Sequence, residues 1–227
     1  MTTDVHVLRV FTDAEGRFGN LLGVVLNTAS FSNDQRQAIA AELGYSETVF
    51  VDDVASASLR IFTPKTELPL AGHPLVGTAW LLGKLAGAPV DTLRPQKAAP
   101  VATWQDDSGT WIRARVSDAP DWGFVQLDTP AAVEALPVPP GPEYVHHSFW
   151  AWIDEPEGNL RARVFASWAG VPEDPATGSA ALRLVDQLQR PIRILQGQGC
   201  IIQARPNSDG TAEVGGFVIE DEMRHLA

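Results

Sequence analysis

ELPLAGHPLVGTAWLL, residues 67–82, sets a histidine between a glycine and a proline just where an apolar run begins. A second stretch, VPEDPATGSAALRLV at 171–185, leads acids, small residues and a glycine into another apolar run. From Pro74 to Ala86 the first run has helical length and is apolar nearly all round, with Lys84 its only charge. That pattern predicts a buried helix with a sheet wrapped round it. ATGSAALRLVDQLQR, 176–190, predicts the second helix, ending before Pro191.

Working outward, the chain reads mostly as strands. VHVLRVF (5–11), LLGVVL (21–26), ETVFV (47–51) and SASLRIFTP (56–64) are rich in β-branched or alternating residues. SNDQRQAIAAELG, 32–44, predicts a helix with Ile39 and Leu43 on one face; Ser32 and Gln35 make a capping box and Gly44 is the stop. Residues 87–100, with Gly87, Pro89, Pro95 and Pro100, read as a connection, and ATWQDDSGTWIRARV as a hairpin turning at DDSG. SDAPDWG, 117–123, marks a lobe boundary. FVQLD, HSFWAWI, LRARVFA, IRILQGQGCIIQARP and TAEVGGFVIE are the later strands, with a stiff loop at LPVPPGPEY.

The two halves echo each other. Leu59-Arg60-Ile61-Phe62 matches Ala162-Arg163-Val164-Phe165, and a proline follows seven residues after each phenylalanine. Each half then passes through Ala71-Gly72-His73 or Thr177-Gly178-Ser179 into its apolar helix. The expected class is α+β: two pseudo-symmetric lobes, each a curled, mostly antiparallel sheet around a central helix. The lobes are placed at 1–118 and 119–216, with 217–227 packing back on the first.

Composition sets the partners. The chain has 227 residues, 44% hydrophobic and 20% charged, enough for one large domain or two lobes. Its net charge of −11, without a basic run, argues against nucleic acid and anionic membranes. One cysteine, Cys200, forms no intrachain disulfide, so the protein reads as cytoplasmic. MTTDVHVLRVFTDAEG lacks the pattern of a signal peptide, and no apolar window is long enough to span a membrane.

FTDAEGRFGNLLGVVL, YSETVFV, LRIFTPKTELPLAGHPLVGTAWLL, RARVFASWAGVPEDPATGSAA and the late QG…GG strands resemble the PhzF-like family, named for the phenazine-biosynthesis isomerase. The resemblance covers nearly the whole chain in order and implies a fold similar to that of diaminopimelate epimerase, with the active site between lobes. It also implies an isomerase that moves a proton at carbon of a small carboxylated substrate without cofactor or metal, and it makes a homodimer an expectation. By motif match, Glu47 resembles the general acid/base. His73 of AGHP, Asp174 of EDPATG and Ser179 of ATGSA resemble its supporting polar groups, and Asn20 of FGN a substrate contact. The amides near Gly72 and Gly178 would face the substrate. Leu21 stands where the family commonly has proline. The chain is shorter than is common in the family between about Leu127 and Asn159, so the second lobe is expected to be trimmed.

The residues themselves leave alternatives open. In a strand Glu47 shares a face with Val49 and Val51. It is either an exposed strand-end acid or, facing inward, a base whose pKa burial raises. The helix starts are either anion sites or ordinary caps, with Asp174 and Thr177 as first-turn residues and Pro175 as helix starter. His73 reads as a neutral hydrogen-bond partner. His146-His147, adjacent in a strand, would point to opposite faces and make a poor metal pair. Asp52-Asp53 and Asp106-Asp107 read as solvated turn acids, the tryptophans as core and cleft wall, and Cys200 as a buried apolar residue. Two-cysteine epimerase chemistry fails with one cysteine, although His73 and Ser179 fall near where the thiols would be. The reading from another class is a non-catalytic binding or interaction protein on the same fold.

Overall fold

A computed structural model describes residues 3–226; positions 1, 2 and 227, at the ends of the expected first lobe and of the C-terminal segment, lie outside the described residues. Strands β1 (Thr3–Thr12) and β2 (Phe18–Leu26) open the fold as an antiparallel pair. Helix α1 (Asn33–Leu43) starts on the expected capping box: Ser32 Oγ accepts from the Gln35 amide and Gln35 Oε1 from the Ser32 amide. Gly44, at φ 66°, closes it in the left-handed region. There follow β3 (Glu47–Asp53), β4 (Ser58–Phe62), β5 (Glu67–Leu68), α2 (Gly72–Ala86), β6 (Thr92–Pro95), β7 (Val101–Asp106) and β8 (Gly109–Arg115).

The second half comprises β9 (Gly123–Gln126), α3 (Pro130–Glu134), β10 (His147–Asp154), β11 (Asn159–Ala166), β12 (Val171–Asp174), α4 (Gly178–Leu188), β13 (Ile192–Gln196), β14 (Cys200–Pro206) and β15 (Thr211–Leu226). The class is α+β, as expected. The connectivity runs twice. β2 is parallel to β3 across α1, and β9 is parallel to β10 beside α3. β4 carries β5 and crosses over through α2 to the parallel β6; β11 carries β12 and crosses over through α4 to the parallel β13. The remaining pairings are antiparallel, and parallel neighbours are found where a helix makes the crossover. The Leu59–Phe62 and Ala162–Phe165 echo thus falls on two strands in equivalent positions.

The first half of β15 pairs with β8 and β14, and its second half with β1. The path β1-β2-β3-β4-β6-β7-β8-β15 therefore closes on β1. Helix α2 lies inside it, packed on β1, β2, β3, β7, β8 and β15, while α4 packs on β14 and β15. This is why α2 needs no polar face: Leu75, Val76, Ala79, Leu81 and Leu82 are all buried. One apolar cluster joins these residues to Ala181, Leu182, Leu184 and Val185 of α4. Among the described residues no helix is long and apolar enough to cross a membrane.

Several local expectations change. Helix α2 begins at Gly72, two residues before Pro74, so His73 belongs to its first turn. The connection at 87–100 contains β6, and α3 starts at Pro130 with the Thr129 hydroxyl capping the Ala132 amide. The buried face of α1 is Arg36, Ala40 and Leu43, with Ile39 partly buried beside it. Asp52 is no solvated turn acid. It accepts from the buried Arg36 at 2.6 Å and from the Thr28 hydroxyl and the Gln96 amide. Asp53 and Asp106 do organise exposed turns, through Ser56 and Ser108. Asp52→Ala leaves the Arg36 charge buried without its carboxylate. A loss of about 3 kcal/mol is expected, read as a lower urea midpoint.

Candidate active site

Strand β3 begins with Glu47, and alternation puts it on the α2 side with Val49 and Val51, which join the main core, while Phe50 joins the smaller cluster under α1. Its side chain is 12% exposed, so the inward alternative is the observed one. Glu47 Oε2 is buried and has no hydrogen-bond partner among the described residues. His73, 1% exposed in the first turn of α2, brings Nδ1 to 3.4 Å from that oxygen, and its Nε2 is unpartnered too.

Burial sets the charges here. It drives the Glu47 carboxyl well above the usual range, and the nearby Asp174 charge adds to the rise. It pushes His73 down to about 3, against a smaller opposing pull from the Leu21 backbone. With His73 neutral, the close Glu47–His73 approach is not an ion pair. The neutral His73 agrees with its place at a helix N-terminus.

Asp174 ends β12 and is buried at the meeting of the two halves. Its Oδ1 accepts from Asn20 Nδ2 at 2.7 Å and Ser46 Oγ at 2.8 Å, and its Oδ2 from Thr177 Oγ1 at 2.6 Å. Burial raises its pKa, while these three donors oppose the rise. Glu47 has no such donors. Burial therefore favours the neutral form of Glu47, while the donors on Asp174 favour its charged form.

The helix starts are not ordinary caps. Ala71 and Thr177 are the N-cap residues of α2 and α4, and neither caps with its side chain. Thr177 spends its hydroxyl on Asp174, Asp174 belongs to a strand, and Pro175 lies before the helix. Gly72 and Gly178 bring the two termini into backbone contact: a Cβ on Gly72 would lie 2.6 Å from Gly178 Cα, and one on Gly178 2.7 Å from Gly72 Cα. Glycine is needed at both for helix-to-helix approach, a reason the sequence does not show. Ser179, in the first turn of α4, accepts from Trp122 Nε1 at 3.2 Å.

Glu47, Asp174 and Ser179 line one small cavity of about 20 Å³, walled on its other side by Trp122 and Trp168. The fold thus gathers all seven candidates: His73 beside Glu47, Asn20 on Asp174, and Gly72 on Gly178. Sequence reasoning missed Ser46 and Gln196 as partners. Ser46 stands in the YSETVFV match beside Glu47; Gln196 carries no local signal. His146 precedes β10 rather than sharing it with His147, and its ring packs 4.1 Å from Trp122 and 4.7 Å from Trp168 between centroids. Cys200 is buried, its thiol pushed up to about 11 mainly by burial. A larger concavity of about 620 Å³ lies by Arg161 and Arg163, but both are already committed to Glu134 and Glu173. The small cavity holds the unpartnered acid and is the better candidate.

The buried pair makes stability depend on pH with opposite signs. The raised Glu47 pKa contributes stability below its ordinary value of 4.5, lost as pH rises through the folded value. The lowered His73 pKa contributes stability above 6.5, lost as pH falls toward about 3. Glu47→Gln is expected to melt progressively above the parent as pH rises from 5 to 9. His73→Gln should flatten the parent's loss of stability between pH 6.5 and 3. Thermal melts across pH check both.

A family model described as phenazine biosynthesis-like protein (PhzC-PhzF) matches residues 8–109. The chain is 31% identical over 225 residues to trans-2,3-dihydro-3-hydroxyanthranilate isomerase of Pseudomonas aeruginosa, covering 79% of this chain and 78% of that protein. The protein of the same name in Pseudomonas chlororaphis is 34% identical over 216 residues, covering 79% and 78%. Among solved structures, a PhzF-family phenazine biosynthesis protein of Bacillus anthracis superposes with a TM-score of 0.80 at 19% identity, covering 100% of this chain and 99% of that one. A hydroxyproline epimerase from Agrobacterium vitis superposes at 0.61 with 10% identity, covering 99% and 92%. At these identities the two structures bear on the fold alone.

Proposed function

The chain belongs to the phenazine biosynthesis-like, or PhzF-like, family, and from that premise we propose that it is an isomerase or epimerase moving a proton at carbon of a small carboxylated metabolite. The observation that carries the reading is the buried Glu47 carboxyl, without a partner, in a cavity shared with Asp174 and the start of α4. A carboxyl with a raised pKa gives up and regains its proton readily. Ionised, Glu47 would take a proton from one carbon; as the acid it would return it to another carbon on the same face, leaving the enzyme unchanged. Two helix starts without side-chain caps offer amides and the positive end of each helix to a carboxylate or enolate. On this reading Ser179 and the amides at Gly72 and Gly178 would orient it, His73 would hydrogen-bond as a neutral group, and Asn20, whose amide is held by Asp174, would act through that carboxylate.

Relatives named trans-2,3-dihydro-3-hydroxyanthranilate isomerase suggest the first compound to try. Proton NMR in deuterated water follows that compound and a panel of related cyclic and acyclic carboxylates. Isomerisation, or deuterium entry at carbon, supports the reading; binding without exchange across the panel removes it. The cavity volume of about 20 Å³ favours a second reading, a non-catalytic protein on the same fold, because a metabolite enters only if the Trp122 and Trp168 wall moves. The same experiment separates the two.

A further inference from the structure

Gln196 is the last residue of β13 and 1% exposed. Its side chain spans the start of α4. Oε1 accepts from the Thr177 amide at 3.2 Å, and Nε2 donates to the Asp174 main-chain carbonyl at 2.8 Å and to Thr177 Oγ1 at 2.9 Å. Only this orientation of the amide works. Flipped, it would set an oxygen against the Asp174 carbonyl and an NH₂ against the Thr177 N–H. Thr177 Oγ1 therefore accepts from Gln196, and its single hydrogen is left for Asp174 Oδ2.

The glutamine is itself held. Arg161 is buried on β11, which runs parallel to β13, and donates to the carbonyls of Leu195 and Gly197 on either side of Gln196. Gly197 packs on Pro175, with room for no Cβ: one would lie 2.7 Å from the Pro175 carbonyl oxygen. The titratable groups facing Asp174 are Glu47 on β3 and Cys200 on β14, with His73 on α2 facing Glu47. Among the described residues, the side-chain donors to the Asp174 carboxylate are Asn20, Ser46 and Thr177. Two of the three arrive from the first half of the chain. The third is aimed by Gln196.

We propose that Gln196 is a positioning residue: by fixing the Thr177 hydroxyl as a donor to Asp174, it favours the charged form of Asp174 over that of its neighbour Glu47. The inference rests on the Glu47–Asp174 pair described above and deepens the proposed function. It assigns the polarity of the pair to a residue that lines no part of the cavity.

The test is a carbon-13 NMR titration of protein labelled at the side-chain carboxyls of glutamate and aspartate. Glu47 is assigned by its loss in Glu47→Gln and Asp174 by its loss in Asp174→Asn. Gln196→Met keeps the length of the side chain and removes its hydrogen bonds. In this variant and in Thr177→Val, the Glu47 midpoint is expected to fall and the Asp174 midpoint to rise by about one pH unit, the worth of one hydrogen bond to a charged acceptor. Thr177→Ser should titrate like the parent, and Gln196→Met added to Thr177→Val should shift nothing further. Should methionine prevent folding, Gln196→Asn, which keeps an amide but is too short to reach, gives the same reading. Parent-like midpoints in the Gln196 variant overturn the proposal, as does a full additional shift in the double variant. The titration needs no substrate. A parent protein that exchanges no carbon-bound proton would remove the isomerase reading and leave this one standing or falling on its own data.

Discussion

Glu47→Gln is expected to cut carbon–proton exchange by about 10²–10⁴-fold, the range for removing a general acid–base group. The substitution keeps the shape of the side chain and removes the exchangeable proton. The carboxyl has no hydrogen-bond partner on Oε2 to lose, so the structure has little reason to rearrange. The loss should therefore fall on kcat, with KM nearly unchanged, since a group that moves the proton acts in the transition state rather than in binding. The variant should also be the more stable protein at alkaline pH, because the parent must ionise a buried acid there and the amide need not. An inactive yet more stable variant is hard to explain by general damage. Exchange at the parental rate would show that Glu47 is a buried structural acid and that the base lies elsewhere.

Gly178→Ala carries the second large effect. The new Cβ would sit 2.7 Å from Gly72 Cα and 3.0 Å from the His73 nitrogen, both main-chain atoms with no side-chain freedom to yield. Either the helix starts separate or the strain stays. Overpacking of this kind costs about 1–3 kcal/mol. For a chain of this length that lowers Tm by roughly 2–12 °C. Activity should fall further than stability implies, since about 1 Å of displacement at a positioned site can cost about 10²-fold. Gly72→Ala meets the same surface from the other side, at 2.6 Å from Gly178 Cα. The double variant should be far from additive, because one separation relieves both clashes. A Gly178→Ala protein with parental Tm and exchange would mean that the helix starts can part freely and that their contact does not set the site.

Much of this was legible in the chain. The capping box at Ser32 and Gln35, the Gly44 stop and the apolar α2 run are local statements, and hydrogen bonding and burial over a few residues decide them. The strand pattern around Glu47 placed it with Val49 and Val51, and the Leu59–Phe62 and Ala162–Phe165 echo matched a connectivity that runs twice. The misreadings have one physical source. Asp52 reads as a turn acid because its partner, Arg36, lies on another element, and Asp174 reads as a first-turn residue because the strand it ends is set by pairing with the distant β11.

By itself, then, the sequence determined the α+β class, the family, the two apolar helices and the seven residues that belong together, because these are written in period, turn chemistry and motif. Only the tertiary structure decided what those residues do to one another. Asn20 and Ser46 reach Asp174 across 154 and 128 positions of chain, Gly72 meets Gly178 backbone to backbone, and Gln196 turns the Thr177 hydroxyl. The balance of charge between Glu47 and Asp174 follows from burial and from which carboxylate finds the donors. Both are properties of packing, and no window of sequence contains them.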